Sequence, residues 1–77
     1  MIDLTQIGLR IAENRQKRGL TQKQLAELMS VSPQAVSKWE RGLAFPDPLF
    51  LDELSEFLGI TVEELLIGKN EKNPENT

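Results

Sequence analysis

Gln34, Ser37, Lys38 and Arg41 recur at intervals of three and four, the spacing that places side chains on one face of a helix. Their chemistry is hydrogen bonding rather than bond breaking. A glutamine amide can pair with an adenine edge, a lysine suits the acceptors of guanine, and an arginine matches phosphate oxygens. Reaction chemistry has little to draw on, because the 77 residues include no histidine and no cysteine. The commonest metal ligand and general base is therefore missing, as is any thiolate zinc site or disulfide framework. The acidic pairs Asp52-Glu53 and Glu63-Glu64 are adjacent in sequence, so the two members of each pair do not share a helix face and read as solvated surface. Neither an enzyme nor a bound cofactor, metal or small molecule is expected.

The net charge of −3 argues by itself against an anionic partner, but the charges are not evenly spread. From Arg10 to Gly42 seven basic residues face three acids, whereas the rest of the chain carries two lysines and nine acids. The basic segment contains the Gln34 to Arg41 face, and such polarity suits a protein that turns one side toward an anion. At 77 residues and 39% apolar content, one small domain is expected. No apolar run approaches the roughly 18 residues that span a bilayer, and Met1-Ile2-Asp3-Leu4 lacks a basic region followed by an apolar stretch. A soluble cytoplasmic protein is the expectation.

Five helices are expected to carry these residues. Leu4, Ile7 and Ile11 start an apolar stripe that ends before Gly19, giving helix 1 from about Leu4 to Lys17. Thr21 followed by Gln24 forms a capping box for helix 2, about 22 to 29, whose apolar face is Leu25, Ala26 and Met29. Ser32-Pro33 supplies a cap and a first-turn proline for helix 3, about 33 to 41, which stops at Gly42. Asp47-Pro48 repeats that signal for helix 4, striped by Leu51, Leu54 and Leu58. Thr61 with Glu64 caps a short last helix containing Val62, Leu65 and Leu66. A domain over residues 4–68 is expected, followed by a polar and disordered tail, 69–77, without a single apolar residue.

Helices 2 and 3, joined by a very short turn, describe a helix-turn-helix. Helix 3 divides cleanly, with Ala35, Val36 and Trp39 on one face and Pro33, Gln34, Ser37, Lys38 and Arg41 on the other. The stretch GLTQKQLAELMSVSPQAVSKWERG, residues 19–42, resembles the Cro/phage-repressor type helix-turn-helix regulators, the XRE family. Pro46-Asp47 and LDELSEFLGITVEELL, residues 51–66, extend the resemblance, which covers about Ile7 to Gly68. It implies an all-α, five-helix lambda-repressor-like DNA-binding domain, with helix 2 across the backbone and helix 3 in the major groove.

Residue by residue, the resemblance implies base readout by Gln34 and Lys38, with Pro33 and Ser37 also facing the groove. Gln22, Ser32 and Arg41 are the implied phosphate contacts, with Arg10 and Lys23 as weaker ones. Ser32 is in addition the helix cap whatever else it touches. Arg15 and Glu40 are implied to form a partly buried structural ion pair, and Trp39 belongs to the core because it shares a face with Val36. Two positions depart from the family's pattern. Ser30 stands in the turn where a glycine is frequent, so backbone strain is expected there. Asn14 stands where a leucine often packs, and its amide is a candidate to cap a polar group near the Arg15 pair.

The resemblance further implies a transcriptional regulator of bacterial or phage origin, associated with the nucleoid, acting as a repressor and binding a pseudo-palindromic double-stranded DNA operator as a homodimer. Val62, Leu66 and Ile67 are candidates for the dimer surface. The alternative is a helix-turn-helix protein-interaction module, antitoxin-like or antirepressor-like, whose acidic second half binds another protein.

Overall fold

A computed structural model describes residues 2–68; the expected tail, 69–77, lies outside the described residues. Five α-helices follow one another: α1 (Leu4–Lys17), α2 (Gln22–Met29), α3 (Pro33–Glu40), α4 (Leu51–Leu58) and α5 (Val62–Ile67). Among the described residues there is no strand, and no helix is long and apolar enough to cross a membrane.

Local hydrogen bonds account for where the helices begin. The Asp3 carboxylate accepts from the Thr5 and Gln6 amides and caps α1. Thr21 with Gln24 and Thr61 with Glu64 close reciprocal capping boxes on α2 and α5. Ser32 Oγ accepts from the Ala35 amide, with Pro33 in the first turn of α3. Two boundaries differ from expectation. Helix α3 stops at Glu40, with Arg41 as its C-cap. Asp47-Pro48 opens a single 3-10 turn over Pro48–Phe50, because Phe50 N–H bonds back to the Asp47 carbonyl three residues earlier; α4 follows from Leu51.

Four of the five helices end alike. In α1, α3 and α4 an amide two or three residues past the end reaches back five residues, from Leu20 to Arg15, Leu43 to Lys38 and Ile60 to Ser55, across a left-handed glycine. Helix α2 closes the same ring from Val31 to Ala26, but the left-handed residue is Ser30, at φ 59° and ψ 40°. Ser30 is the one non-glycine residue with positive φ among those described. The strain expected in the helix-turn-helix turn is therefore present.

The core gathers Ile7 and Ile11 of α1, Leu25, Ala26 and Met29 of α2, Val36 and Trp39 of α3, Leu54 and Leu58 of α4, and Leu65 of α5. Trp39 is only 5% exposed, so it is a core residue rather than a stacking platform. Phe45 and Ala44, in the loop after α3, fold back against this cluster. Helix α1 meets the end of α3 at Gly8, where a Cβ would stand 2.6 Å from the Glu40 carbonyl oxygen and closer still to that of Trp39. Only a residue without a side chain permits that backbone approach.

Candidate nucleic-acid interface

Helix α3 is anchored by Val36 and Trp39, and the same anchoring turns its other face outward. Ser32, Pro33, Gln34, Lys38 and Arg41 are exposed and Ser37 is half-buried. The side chains of Gln34, Ser37 and Lys38 form no hydrogen bond or ion pair with other described residues. Arg41 is loosely held, its Nε donating to the Ser37 carbonyl at 3.4 Å. Ser32 Oγ accepts the capping bond and keeps its own hydroxyl hydrogen to donate. Lys23 is exposed in the first turn of α2. The result is a helix face rich in uncommitted donors, next to the N-terminal amides of α2 and α3.

Behind this face lies a polar network. Arg15 grips Glu40 in a fork, through Nε to Oε2 and through a terminal nitrogen to Oε1 at 3.1 Å. Its remaining terminal nitrogen donates to the Leu20 carbonyl at 2.7 Å. The two side chains are 11% and 7% exposed, so the pair is nearly closed to water. Gln22 joins it: its amide Nε2 donates to Glu40 Oε1 at 2.9 Å. The amide carries a second hydrogen, so this bond still leaves Gln22 one donor for a phosphate.

Arg10 requires a correction. Its guanidinium donates to the carbonyls of Leu65 and Leu66, each at 3.1 Å, and of Ile67 at 3.2 Å. These are orphan carbonyls in the last turn of α5, where a cation also meets the negative end of the helix dipole. With three of its five N–H donors engaged there, Arg10 clasps α5 to α1, a structural role in place of the phosphate contact. Asn14 is likewise turned from the role considered for it, because its amide donates to the Arg10 carbonyl at 2.8 Å within α1 and does not reach the Arg15 pair. Of the three apolar residues considered for a dimer surface, Val62 and Leu66 are half-buried, while Ile67 is 62% exposed.

Three features escaped the sequence. The Arg10 clasp and the Gln22 to Glu40 bond join residues far apart in the chain and carry no local signal. The Asp3 cap, by contrast, has one: an aspartate directly before an apolar-periodic stretch.

Comparison with known proteins agrees with this geometry. A helix-turn-helix family model matches residues 11–65. The chain is 42% identical over 60 residues to the HTH-type transcriptional activator BcrR of Enterococcus faecalis, covering 78% of this chain and 29% of that protein. It is 37% identical over 70 residues to the HTH-type transcriptional regulator ImmR of Bacillus subtilis, covering 91% of this chain and 54% of that one. The chain thus spans less than two thirds of the length of these relatives. Among solved structures, the P22 c2 repressor in complex with synthetic operator 9T superposes with a TM-score of 0.78 at 35% identity, covering 82% of this chain and 96% of that chain.

Proposed function

The chain belongs to the helix-turn-helix regulator family of the Cro/phage-repressor (XRE) type, and from that premise we propose that it binds double-stranded DNA sequence-specifically, with α3 in the major groove. The observation that carries this is the outward face of α3, whose Gln34, Ser37 and Lys38 side chains are committed to nothing within the described chain. Gln34 and Lys38 read base edges, and Pro33 and Ser37 flank them in the groove. Gln22, Ser32, Lys23 and Arg41 hold phosphates on either side. A single module of this size buries limited surface, so specific affinity requires two copies on half-sites about one helical turn apart. The unit is a homodimer on a pseudo-palindromic operator, with exposed Ile67 at its contact surface. It acts without catalysis, as a repressor that blocks a promoter by occupying it.

Selection of bound duplexes from a random DNA pool, followed by salt-titrated affinities, tests this reading. The expected result is a two-fold motif, with Gln34→Ala and Lys38→Ala each costing about 1–3 kcal/mol at its own base pair. If no duplex is enriched even at low salt, where phosphate attraction is strongest, the DNA-binding reading is wrong.

A further inference from the structure

Glu40 sits in the middle of the polar network, yet its place in the chain is the last residue of α3, immediately before Arg41. Its Oε1 receives two donors at once, Arg15 at 3.1 Å and Gln22 at 2.9 Å. Arg15 is itself pinned by the Leu20 carbonyl, two residues ahead of Gln22. The network therefore closes a loop through the end of α1, the turn before α2, the start of α2 and the end of α3. Every member of it is held by another, and Gln22 is the one that reaches the surface.

We propose that Glu40 is a positioning residue for nucleic-acid binding: by accepting one hydrogen of the Gln22 amide, it fixes the orientation in which the other is presented to a DNA phosphate. An exposed glutamine would otherwise sample several rotamers and lose side-chain entropy on binding. With the amide tethered to a carboxylate held by a two-point arginine fork, that entropy is already lost in the free protein, so less affinity is forfeited on contact. A buried carboxylate near a phosphate is tolerated because Arg15 neutralises it. Gln22 and Arg41 flank the groove face of α3, and both are tied to Glu40, one by a hydrogen bond and one by the chain. The proposal rests on the DNA-binding reading above and adds a role that Glu40 plays without touching DNA.

The test uses the whole chain and a duplex recovered by selection, together with duplexes in which single phosphates are replaced by neutral methylphosphonates. In the wild type, one replacement per half-site is expected to weaken binding by about tenfold or more, the scale of a lost hydrogen bond to a charged group. Gln22→Ala loses that sensitivity at the same phosphate and weakens binding to the unmodified duplex by a similar factor. Glu40→Ala is expected to lose most of it too, while the ranking of base sequences, set by Gln34 and Lys38, stays unchanged. The Gln22→Ala/Glu40→Ala double variant binds no more weakly than Gln22→Ala alone.

Because Glu40→Ala leaves Arg15 uncompensated and can unfold the domain, Arg15→Met/Glu40→Leu is measured alongside it. That variant strands no charge and still lacks the acceptor for Gln22. Retention of the methylphosphonate penalty in the folded variants, or effects of Gln22 and Glu40 that simply multiply, overturns the proposal while leaving DNA binding intact. Absence of any selected duplex overturns the DNA-binding reading itself, and the proposal falls with it.

Discussion

Replacing Gly8 by alanine sets two helix rules against each other. In an isolated helix interior the change is favourable by about 1 kcal/mol, because alanine is the best helix former and glycine a poor one. Here the added methyl lies 2.6 Å from the Glu40 carbonyl oxygen, 2.9 Å from the Glu40 carbonyl carbon and closer still to the Trp39 oxygen. Carbon and oxygen normally approach no nearer than about 3.3 Å, so the end of α3 must retreat from α1 by roughly 0.7 Å or more. The obstructing atoms are backbone, and no side-chain rotation can relieve them. Overpacking of this kind costs about 1–3 kcal/mol, and a backbone clash belongs near the top of that range. Less the propensity gain, Gly8→Ala is expected to destabilise by about 2 kcal/mol. For a domain of this size that lowers the melting temperature by roughly 8–16 °C in thermal unfolding followed by circular dichroism. The propensity contribution is calibrated at Glu13, exposed in the middle of the same helix, by comparing Glu13→Ala with Glu13→Gly. A Gly8→Ala variant melting at or above the wild-type temperature would refute the close-packing account.

Two further substitutions probe the turn and the last helix. Ser30→Gly relieves a left-handed residue that costs about 1–2 kcal/mol, offset by roughly 0.5–1 kcal/mol of extra unfolded-chain entropy, so a net gain of about 0.5–1 kcal/mol is expected; a lower melting temperature than wild type contradicts it. Arg10→Met removes three partly exposed hydrogen bonds to the end of α5, for a loss of about 1 kcal/mol confined to that element. Amide hydrogen exchange at Leu65 and Gly68, whose amides bond to Thr61 and Glu64, is expected to speed up about fivefold while α2 and α3 keep their protection. Unchanged exchange in α5 means the clasp contributes nothing.

The helices themselves were legible in the chain, and so was the outward face of α3. Thr21 with Gln24, Ser32 with Ala35 and Thr61 with Glu64 close hydrogen-bonded rings within four residues, so the information that starts a helix sits beside the helix. The outward direction of Gln34 and Lys38 follows from the same periodicity that buries Val36 and Trp39. What local sequence could not separate was one cation from another. Arg10 and Lys23 are alike as letters in a basic segment, but Arg10 donates to carbonyls 55 to 57 residues away and Lys23 remains exposed; Arg15, bound to a carboxylate 25 residues away, was told apart only by the family resemblance. Nor does a glycine inside a helix announce that another helix rests on it, as α3 does on Gly8. Capping and periodicity are local interactions, fixed by neighbours in the chain, whereas the partner of a long charged side chain is chosen only when packing brings distant carbonyls and carboxylates within its reach.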